Sequence, residues 1–190
     1  MKLAALDTAG RACSVALGVD GEVVERIETR PRMHAATVLP MLEACLAETG
    51  LVLGQLDGIV FGRGPGSFTG LRIAASVTQG LAFGADLPVA PVSSLAAAAV
   101  AARRRHGWPR VLVANDARMA EADAGAYEVT AGGRAEPVMP DALLDPAALV
   151  PPGGGAWNGA GTAFAAWPDL AARLGLEGVD TDLERVEADA

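Results

Sequence analysis

A glycine-rich turn in the first half of the chain constrains the fold more than any other segment. It joins an apolar run, Leu56 to Phe61, that is typical of a buried strand to a helical pattern from about Leu71 to Ala85. Alternate glycines permit positive φ or a close backbone approach, a central proline stiffens the turn, and a hydroxyl side chain can cap the helix. The turn therefore predicts a strand, a tight connection and a helix. It consists of Gly62, Arg63, Gly64, Pro65, Gly66, Ser67, Phe68, Thr69, Gly70, Leu71 and Arg72.

The segment before this turn has the pattern of a three-stranded meander followed by a helix. Apolar spacings of four, four and three predict a helix through His34, Val38, Leu42 and Cys45, kinked at Pro40 or starting afresh near Thr37. The order up to Ala85 is therefore β-β-β-α-β-α, which predicts an α/β fold. The three strands are predicted over Leu3–Leu6, Cys13–Leu17 and Val23–Thr29, with a hairpin turn at Asp20-Gly21.

The second half of the chain repeats this order faintly. A stretch rich in glycine and proline, about residues 146–168, is interpreted mostly as loop, and a last helix is predicted over Ala163–Leu174. We expect two lobes, residues 1–94 and 95–190, of which the second is the smaller. The other predicted features are a strand over Pro88–Val92, a Ser93-Ser94 cap, a helix over Leu95–Ala102, strands over Arg110–Ala114 and Ala126–Thr130, and a turn at Gly132-Gly133.

Composition excludes several classes of function. The chain of 190 residues has a formal net charge of −8 and only eight aromatic residues, which disfavours unaided binding to nucleic acid. A single lysine, Lys2, excludes lysine-dependent chemistry, and two histidines far apart in sequence with two cysteines are too few to predict a metal site. No segment is suited to a membrane helix or a signal peptide, so we expect a cytoplasmic protein.

A short loop after the first predicted strand is one candidate site. Asp7 and Thr8 lie in Asp7-Thr8-Ala9-Gly10-Arg11, between two strands, where backbone amides can approach a phosphate while the carboxylate faces a hydrated cation. The candidate partner is Asp116, in Asn115-Asp116-Ala117-Arg118 after the matching strand of the second half. Catalytic use, weak nucleotide contact and a vestigial phosphate loop all remain open from the residues alone.

The glycine-rich turn is the second candidate site. A helix N-terminus with exposed amides suits an anion, but the turn has no Walker lysine, no third glycine of the G-x-G-x-x-G type and no G-x-S-x-G nucleophile. It is either a rigid turn or a surface shaped for another protein. The following helix favours the second interpretation, because Ala74, Val77, Gly80 and Gly84 form a small-residue face. We expect Arg63 or Arg72 to contact an acidic partner surface or a nucleotide phosphate.

Four segments together resemble the bacterial TsaB family of tRNA threonylcarbamoyladenosine biosynthesis proteins. The resemblance covers about residues 1–130, and the run from Gly64 to Arg72 is its most specific part. The other segments support it through their combination and order. They are Leu6-Asp7-Thr8 with Ser14-Val15-Ala16-Leu17, His34 with Leu39-Pro40, and Asp116-Ala117-Arg118-Met119.

The resemblance implies a duplicated, two-lobe fold of the actin-like and hexokinase-like class. It further implies a non-catalytic subunit that supports TsaD, a catalytic paralogue, in transferring a threonylcarbamoyl group to the adenosine next to the anticodon of tRNA. TsaE would be a further partner, ATP and Mg²⁺ would be used by the complex, and the tRNA would be contacted indirectly. The family usually ends with a further helix, which we do not find before Ala190.

Three hypotheses about function follow. The first is a scaffold subunit that binds TsaD, or itself when alone, through two helices, with an interface drawn from His34, Val38, Leu42, Ala74, Val77 and Gly80. The second is a nucleotide-dependent transferase of the actin-like ATPase class that uses Asp7 and Asp116. The third is a peptidase that uses Ser67.

Overall fold

A computed structural model describes residues 1–30 and 33–183 of the chain. These residues form two compact units, residues 1–92 and 93–183, and each is described by itself below. None of the helices in the described ranges is both long enough and apolar enough to cross a membrane.

The first unit follows the predicted order of strands and helices. Its strands are β1 (Lys2–Asp7), β2 (Cys13–Val19), β3 (Glu22–Glu28), β4 (Gly58–Gly62) and β5 (Val89–Val92), and its helices are α1 (His34–Thr49) and α2 (Phe68–Ala85). The sheet has the order β3-β2-β1-β4-β5. The first three strands are antiparallel neighbours, whereas β1, β4 and β5 run parallel. The parallel pairs need crossover connections, and α1 and α2 lie within those connections.

Both helices pack on one face of this sheet. Alternation along β1 and β2 turns Ala4, Leu6, Val15 and Leu17 towards them, where all four are buried. The helices fill the other side of this core with Val38, Leu42, Cys45 and Ala82.

Two helix starts differ from the sequence predictions. The first helix runs without a break from His34 to Thr49 with Pro40 inside it, so the start near Thr37 is wrong. Pro40 lies in the second turn of the helix. Its ring nitrogen carries no hydrogen, so one backbone hydrogen bond is missing there, but the helix continues on both sides. The second helix begins at Phe68, one turn before the predicted start, because Ser67 caps it by accepting a hydrogen bond from the Gly70 amide at 3.3 Å.

The second unit opens with a helix and then repeats the strand order of the first. Its helices are α3 (Ser94–His106), α4 (Ala163–Ala166) and α5 (Leu170–Arg173), and its strands are β6 (Arg110–Arg118), β7 (Glu121–Val129), β8 (Ala135–Leu144), β9 (Asn158–Ala160) and β10 (Val179–Asp180). The sheet order β8-β7-β6-β9-β10 matches β3-β2-β1-β4-β5 strand for strand. This correspondence confirms the duplicated α/β fold.

Helices cover both faces of the second sheet. Val111 and Val113 of β6 pack against the alanine-rich helix α3, and the alternate residues Leu112 and Ala114 pack on the opposite side. That opposite side is filled by α4, α5 and the preceding loop through Leu149, Trp157, Phe164 and Leu170. As predicted, Ser93 caps α3, accepting hydrogen bonds from the amides of Leu95 and Ala96 at 3.1 and 3.2 Å.

The glycine- and proline-rich stretch contains more structure than the sequence pattern predicts. It holds a 3-10 turn at Pro146–Ala148, strand β9 and helix α4. The continuous helix predicted over Ala163–Leu174 is wrong, because the chain breaks into α4 and α5 around Pro168, whose ring disfavours helical backbone before it. Strand β7 begins at Glu121, five residues before the predicted Ala126.

Candidate functional site

The first candidate loop and the glycine-rich turn are packed against each other. The hydroxyl of Thr8, which is fully buried, donates a hydrogen bond to the carbonyl of Gly70 at 2.6 Å. The amide of Ser67 donates to the carbonyl of Ala9 at 2.7 Å. Two segments whose bonded residues Thr8 and Gly70 are 62 positions apart therefore form one structure, and the N-terminus of α2 lies directly on the loop after β1.

Two glycines are required for this close approach. A Cβ atom at Gly70 would lie 1.9 Å from the carbonyl oxygen of Thr8, and one at Gly62 would lie 2.0 Å from Oδ2 of Asp7. Gly66 is also tight, since its Cβ would meet the Ala9 carbonyl oxygen at 2.7 Å. The main chain of the turn thus lies directly against the loop, with no room for a side chain at these positions.

The carboxylate of Asp7 is engaged within its own loop. Its Oδ1 accepts a hydrogen bond from the amide of Ala9 at 2.7 Å. An amide that is bonded in this way is not presented to an anion. The carboxylate of Asp7 thus stabilises the turn of its own loop, and the roles predicted for Asp7 and Thr8 stay predictions.

The outer part of the glycine-rich turn is exposed. Phe68 has 68 % of its surface accessible, and the guanidinium of Arg72 stacks over its ring with 3.8 Å between Cζ and the ring centroid. Arg63 is exposed and its amide donates to the Val92 carbonyl at 2.8 Å. The Gly64–Pro65 peptide bond is cis. Ser67 serves as the helix cap, and Nε2 of His34 and Nε2 of His106 each lie within hydrogen-bond distance of other groups, the Gly10 carbonyl and the Asp180 carboxylate.

The matching loop of the second unit is closed by a segment that sequence reasoning missed. The amide of Asp116 donates to the Thr162 hydroxyl at 3.0 Å, and the Thr162 amide donates to Oδ1 of Asn115 at 3.2 Å. Gly161 is pressed against β6, since its Cβ would lie 2.3 Å from the Ala114 carbonyl oxygen. Oδ1 of Asp116 accepts from the Arg118 amide at 2.9 Å, so this carboxylate also caps a turn.

Three residues predicted for a partner interface lie in the core instead. Val38, Leu42 and Ala74 are buried in the core of the first unit, so they are not surface residues of this protomer. Val77 packs against that core and is partly buried. The physical reason is that apolar residues at spacings of three and four mark the side of a helix that faces its own sheet.

Gly80 alone of the predicted interface residues is fully on the surface. Nothing lies within 4 Å of the position that its Cβ would take, and the same holds for Gly84. Their exposed neighbours on α2 are Ala75, Ser76, Gln79 and Phe83. The exposed side of α2 therefore combines small residues with one large phenylalanine, and it is rotated away from Ala74 and Val77.

His34 begins α1 and is partly buried. Its Nε2 lies 3.3 Å from the carbonyl oxygen of Gly10, within hydrogen-bond distance. Its Nδ1 has no hydrogen-bond partner among the described residues. The ring therefore connects the start of α1 to the loop after β1.

Comparison with known proteins identifies the family. A family model for TsaD, tRNA N6-adenosine threonylcarbamoyltransferase, matches residues 25–166. The tRNA threonylcarbamoyladenosine biosynthesis protein TsaB of Escherichia coli is 42 % identical over 179 residues, which cover 93 % of this chain and 78 % of that protein. The chain belongs to the TsaB family.

Further TsaB relatives agree with this assignment. TsaB of Haemophilus influenzae is 53 % identical over 121 residues, or 64 % of this chain and 51 % of that protein. The solved structure of YeaZ from Pseudomonas aeruginosa superimposes with a TM-score of 0.87 at 41 % identity and covers 95 % of this chain and 84 % of that one. The resemblance drawn from the sequence is thereby confirmed.

A polar cluster in the second unit of this TsaB family member was not anticipated. The Ser93 hydroxyl donates to Oδ2 of Asp141 at 2.7 Å, and the buried Tyr127 hydroxyl donates to the other oxygen of the same carboxylate. Gly125 makes room, since a Cβ there would lie 2.8 Å from Oδ1 of Asp141. The half-buried Asp123 lies on the same face of β7, and its pKa is raised by burial first and by Asp141 and Glu121 next.

The cysteines of the TsaB fold are core residues. Cys13 and Cys45 are both buried and reduced, and burial raises the pKa of both thiols. A raised thiol pKa lowers the fraction of reactive thiolate at neutral pH. Within residues 1–30 and 33–183, no group of three or more histidine, cysteine, aspartate or glutamate residues is arranged to hold a metal ion.

Proposed function

We propose that this chain is an accessory subunit in tRNA threonylcarbamoyladenosine biosynthesis and that it works by binding a TsaD-type transferase. The observation that carries the accessory role is the closure of the first loop by main chain. Gly70 lies against the Thr8 carbonyl, and the Asp7 carboxylate is bonded to the Ala9 amide. A phosphate site built on this loop would need backbone amides free to face the anion, and the Ala9 amide is already bonded to Asp7.

The second unit supports the same proposal. Asp116, the other carboxylate that a nucleotide site would use, accepts a hydrogen bond from Arg118, and its own amide is bonded to Thr162. Both carboxylates therefore stabilise turns. In each loop one carboxylate oxygen is committed to a backbone amide, which supports a structural role for both residues.

The outer surface of α1 and α2 is the surface that we assign to the transferase. We call it the docking face and define it by exposed residues of both helices: Leu39 and Glu43 of α1, and Arg72, Ser76 and Gly80 of α2. Small residues allow a partner helix to approach closely, and the flanking charges can set its register. Two helices on each side would form a four-helix contact.

The remaining partners follow from this assignment. When the transferase is absent, the same docking face would pair with a second copy of the chain through a two-fold contact. ATP and Mg²⁺ would be used by the assembled complex with TsaE, and tRNA would be contacted through the transferase. The net charge of −8 supports indirect contact, because an acidic surface repels the phosphate backbone. The complex would act in the cytoplasm.

Substitution of Gly80 tests the docking face. Gly80→Arg places a long charged side chain in open space, so the fold is retained while a closely packed partner helix is displaced. We expect affinity for a purified TsaD-type transferase, measured by isothermal titration calorimetry, to fall at least about tenfold. Gly153→Arg is the matched control, because Gly153 also has nothing within 4 Å but lies in the second unit. Equal affinity of Gly80→Arg and the native chain would contradict the docking face.

A second measurement separates this proposal from the transferase hypothesis. The purified chain alone, supplied with ATP and Mg²⁺, should show no turnover above background. Turnover that depends on Mg²⁺ and is removed by Asp7→Asn would overturn the accessory role, whatever the affinity for the transferase.

A further inference from the structure

The turn between β6 and β7 places a methionine almost wholly in solvent. Met119 and Ala120 are the two residues of this turn, and Met119 is 93 % exposed. The turn is tight, because the residues on either side of it, Arg118 and Glu121, are already paired with each other in the sheet. A small molecule in solution can therefore reach the side chain of Met119.

The backbone of this turn is an unusual setting for a methionine. Arg118, Met119 and Ala120 have φ values of 71°, 53° and 61°, all in the left-handed region. Two-residue hairpin turns favour positive φ because it matches the twist of the flanking strands, but asparagine and glycine usually occupy these positions. Met119 departs from that preference while its side chain stays in solvent, which is a pattern expected at a functional position.

The other methionines of the chain are less accessible. Met41 packs against the core of the first unit, and Met139 packs against a core of the second. Met33, which precedes α1, is 39 % exposed, and Met1 is 77 % exposed. Met119 therefore carries the most accessible of the five thioethers.

A thioether in solvent reacts with hydrogen peroxide. The sulfur lone pair attacks one peroxide oxygen, the O–O bond breaks, and the hydroxide that leaves takes up the proton of the attacked oxygen and becomes water. The sulfur loses two electrons and the peroxide gains them, so the products are methionine sulfoxide and water. Methionine sulfoxide reductases reverse the change: two thiols are oxidised to a disulfide, and the sulfoxide oxygen leaves as water.

Oxidation has different structural consequences at Met119 and in the cores. A sulfoxide is polar, so at Met41 or Met139 it would place an oxygen against apolar side chains. At Met119 the new oxygen meets water, and little packing is lost. The fold should therefore survive oxidation of Met119, which leaves the sulfoxide accessible for repair.

We propose that Met119 is a site of reversible oxidation by hydrogen peroxide, which the folded chain tolerates and which methionine sulfoxide reductases reverse. Exposure selects this sulfur, and its distance from any packed core makes the change harmless to the fold.

Peptide mapping of the full chain after brief exposure to hydrogen peroxide tests the site. Trypsin cleaves after arginine, so Met119 is released in the peptide 119–134, which contains no other methionine. We expect Met119 to gain one oxygen at least about fivefold faster than Met33 and at least about tenfold faster than Met41 or Met139. Reductases of both classes, one for each sulfoxide epimer, should together return this peptide to its original mass.

Glutamine substitutions test whether the fold tolerates the change. Glutamine resembles methionine sulfoxide in size and polarity. Met119→Gln should shift the melting temperature by less than about 1 °C, whereas the matched control Met139→Gln should lower it by about 4 °C or more.

Each outcome decides the proposal. Fast oxidation of Met119, complete repair and an unchanged melting temperature of Met119→Gln support it. Oxidation of Met33, Met41 or Met139 at the rate of Met119 would overturn it, because exposure would then not select the sulfur. A sulfoxide in peptide 119–134 that neither reductase removes, or equal losses of melting temperature for the two glutamine variants, would overturn it as well.

Discussion

The two units have the same strand order but differ in the helices that cover their sheets. In the first unit, α1 and α2 have 16 and 18 residues and pack on one face. In the second, the position of α1 is taken by a loop with one 3-10 turn, and that of α2 by two helices of four residues each. The comparison teaches that the sheet order tolerates the loss of long helices when a loop supplies apolar side chains such as Leu149 and Trp157.

The loops after the first strand of each unit show a second difference. Both are closed by a glycine that lies against a carbonyl, Gly70 in the first unit and Gly161 in the second. In the first, the supporting hydroxyl of Thr8 is fully buried, whereas Thr162 in the second is partly exposed. Closure should therefore contribute more to stability in the first unit than in the second.

The largest expected effect is that of Gly70→Ala. Its Cβ would lie 1.9 Å from the Thr8 carbonyl oxygen, which is backbone and cannot move alone, so we expect a loss of more than about 4 kcal/mol or a failure to fold. Gly80→Ala, in the same helix but in open space, should instead stabilise the protein by up to about 1 kcal/mol. Urea unfolding measures both. Similar effects of the two substitutions would contradict the close packing of the turn on the loop.

Gly161→Ala tests the second loop. The φ of 114° and a Cβ 2.3 Å from the Ala114 carbonyl oxygen predict a loss of about 3 to 4 kcal/mol. Gly133→Ala is the control, with positive φ but no close neighbour, and should cost about 1 kcal/mol. A loss for Gly161→Ala larger than that for Gly70→Ala would reverse the comparison between the units.

Removal of the two hydroxyls sharpens the comparison further. Thr8→Val breaks a buried hydrogen bond to the Gly70 carbonyl and should cost about 1 to 2 kcal/mol. Thr162→Val should cost less than about 1 kcal/mol, because water can reach the freed Asp116 amide. Thr8→Ser keeps the hydroxyl and should recover part of the loss. Thermal unfolding of the three variants ranks their losses of stability. Equal losses for Thr8→Val and Thr162→Val would contradict the expected difference between the two loops.

The smallest expected effect concerns Asp123 of the second unit. Its folded-state pKa is raised by burial, and then by Asp141 and Glu121, above the ordinary value, so the folded state holds the proton more tightly than the unfolded state. Stability from this group is present at low pH and is lost as pH rises through the folded pKa. Asp123→Asn should therefore stabilise the protein at pH 7 by less than about 1 kcal/mol, with the gain shrinking towards pH 4. A gain that is constant from pH 4 to 7 would show that the charge is not its cause.

Much of the first unit was predictable from its sequence. The strand alternation, the Ser67 cap and the glycine spacing are local signals, and they lead to the observed order of elements. The helical periodicity also explains why Val38 and Leu42 were assigned to an interface. The two residues are four positions apart, and apolar residues at this spacing form the side of a helix that packs on its own core. An apolar residue on a helix indicates that its side chain is buried. It does not indicate whether the side chain is buried by the protein's own sheet or by a partner protein.

The closure of the second loop was not predictable by the same means. Gly161 and Thr162 lie in a stretch without periodicity, and their contact with β6 joins residues 46 or 47 apart in sequence. Such long-range contacts leave no local pattern. The Ser93, Tyr127 and Asp141 cluster was missed for the same reason, because its members come from three different elements.

The glycine contacts limit which residues the turn can accept. The space that a side chain would need at Gly70 is filled by the backbone carbonyl of Thr8, so no change of a neighbouring side chain can make room for it. A larger residue at this position would require the start of α2 to withdraw from the loop, together with the loss of the Thr8 hydrogen bond that holds it there. Variation at this position is therefore coupled to a rearrangement of backbone and not to a single compensating substitution.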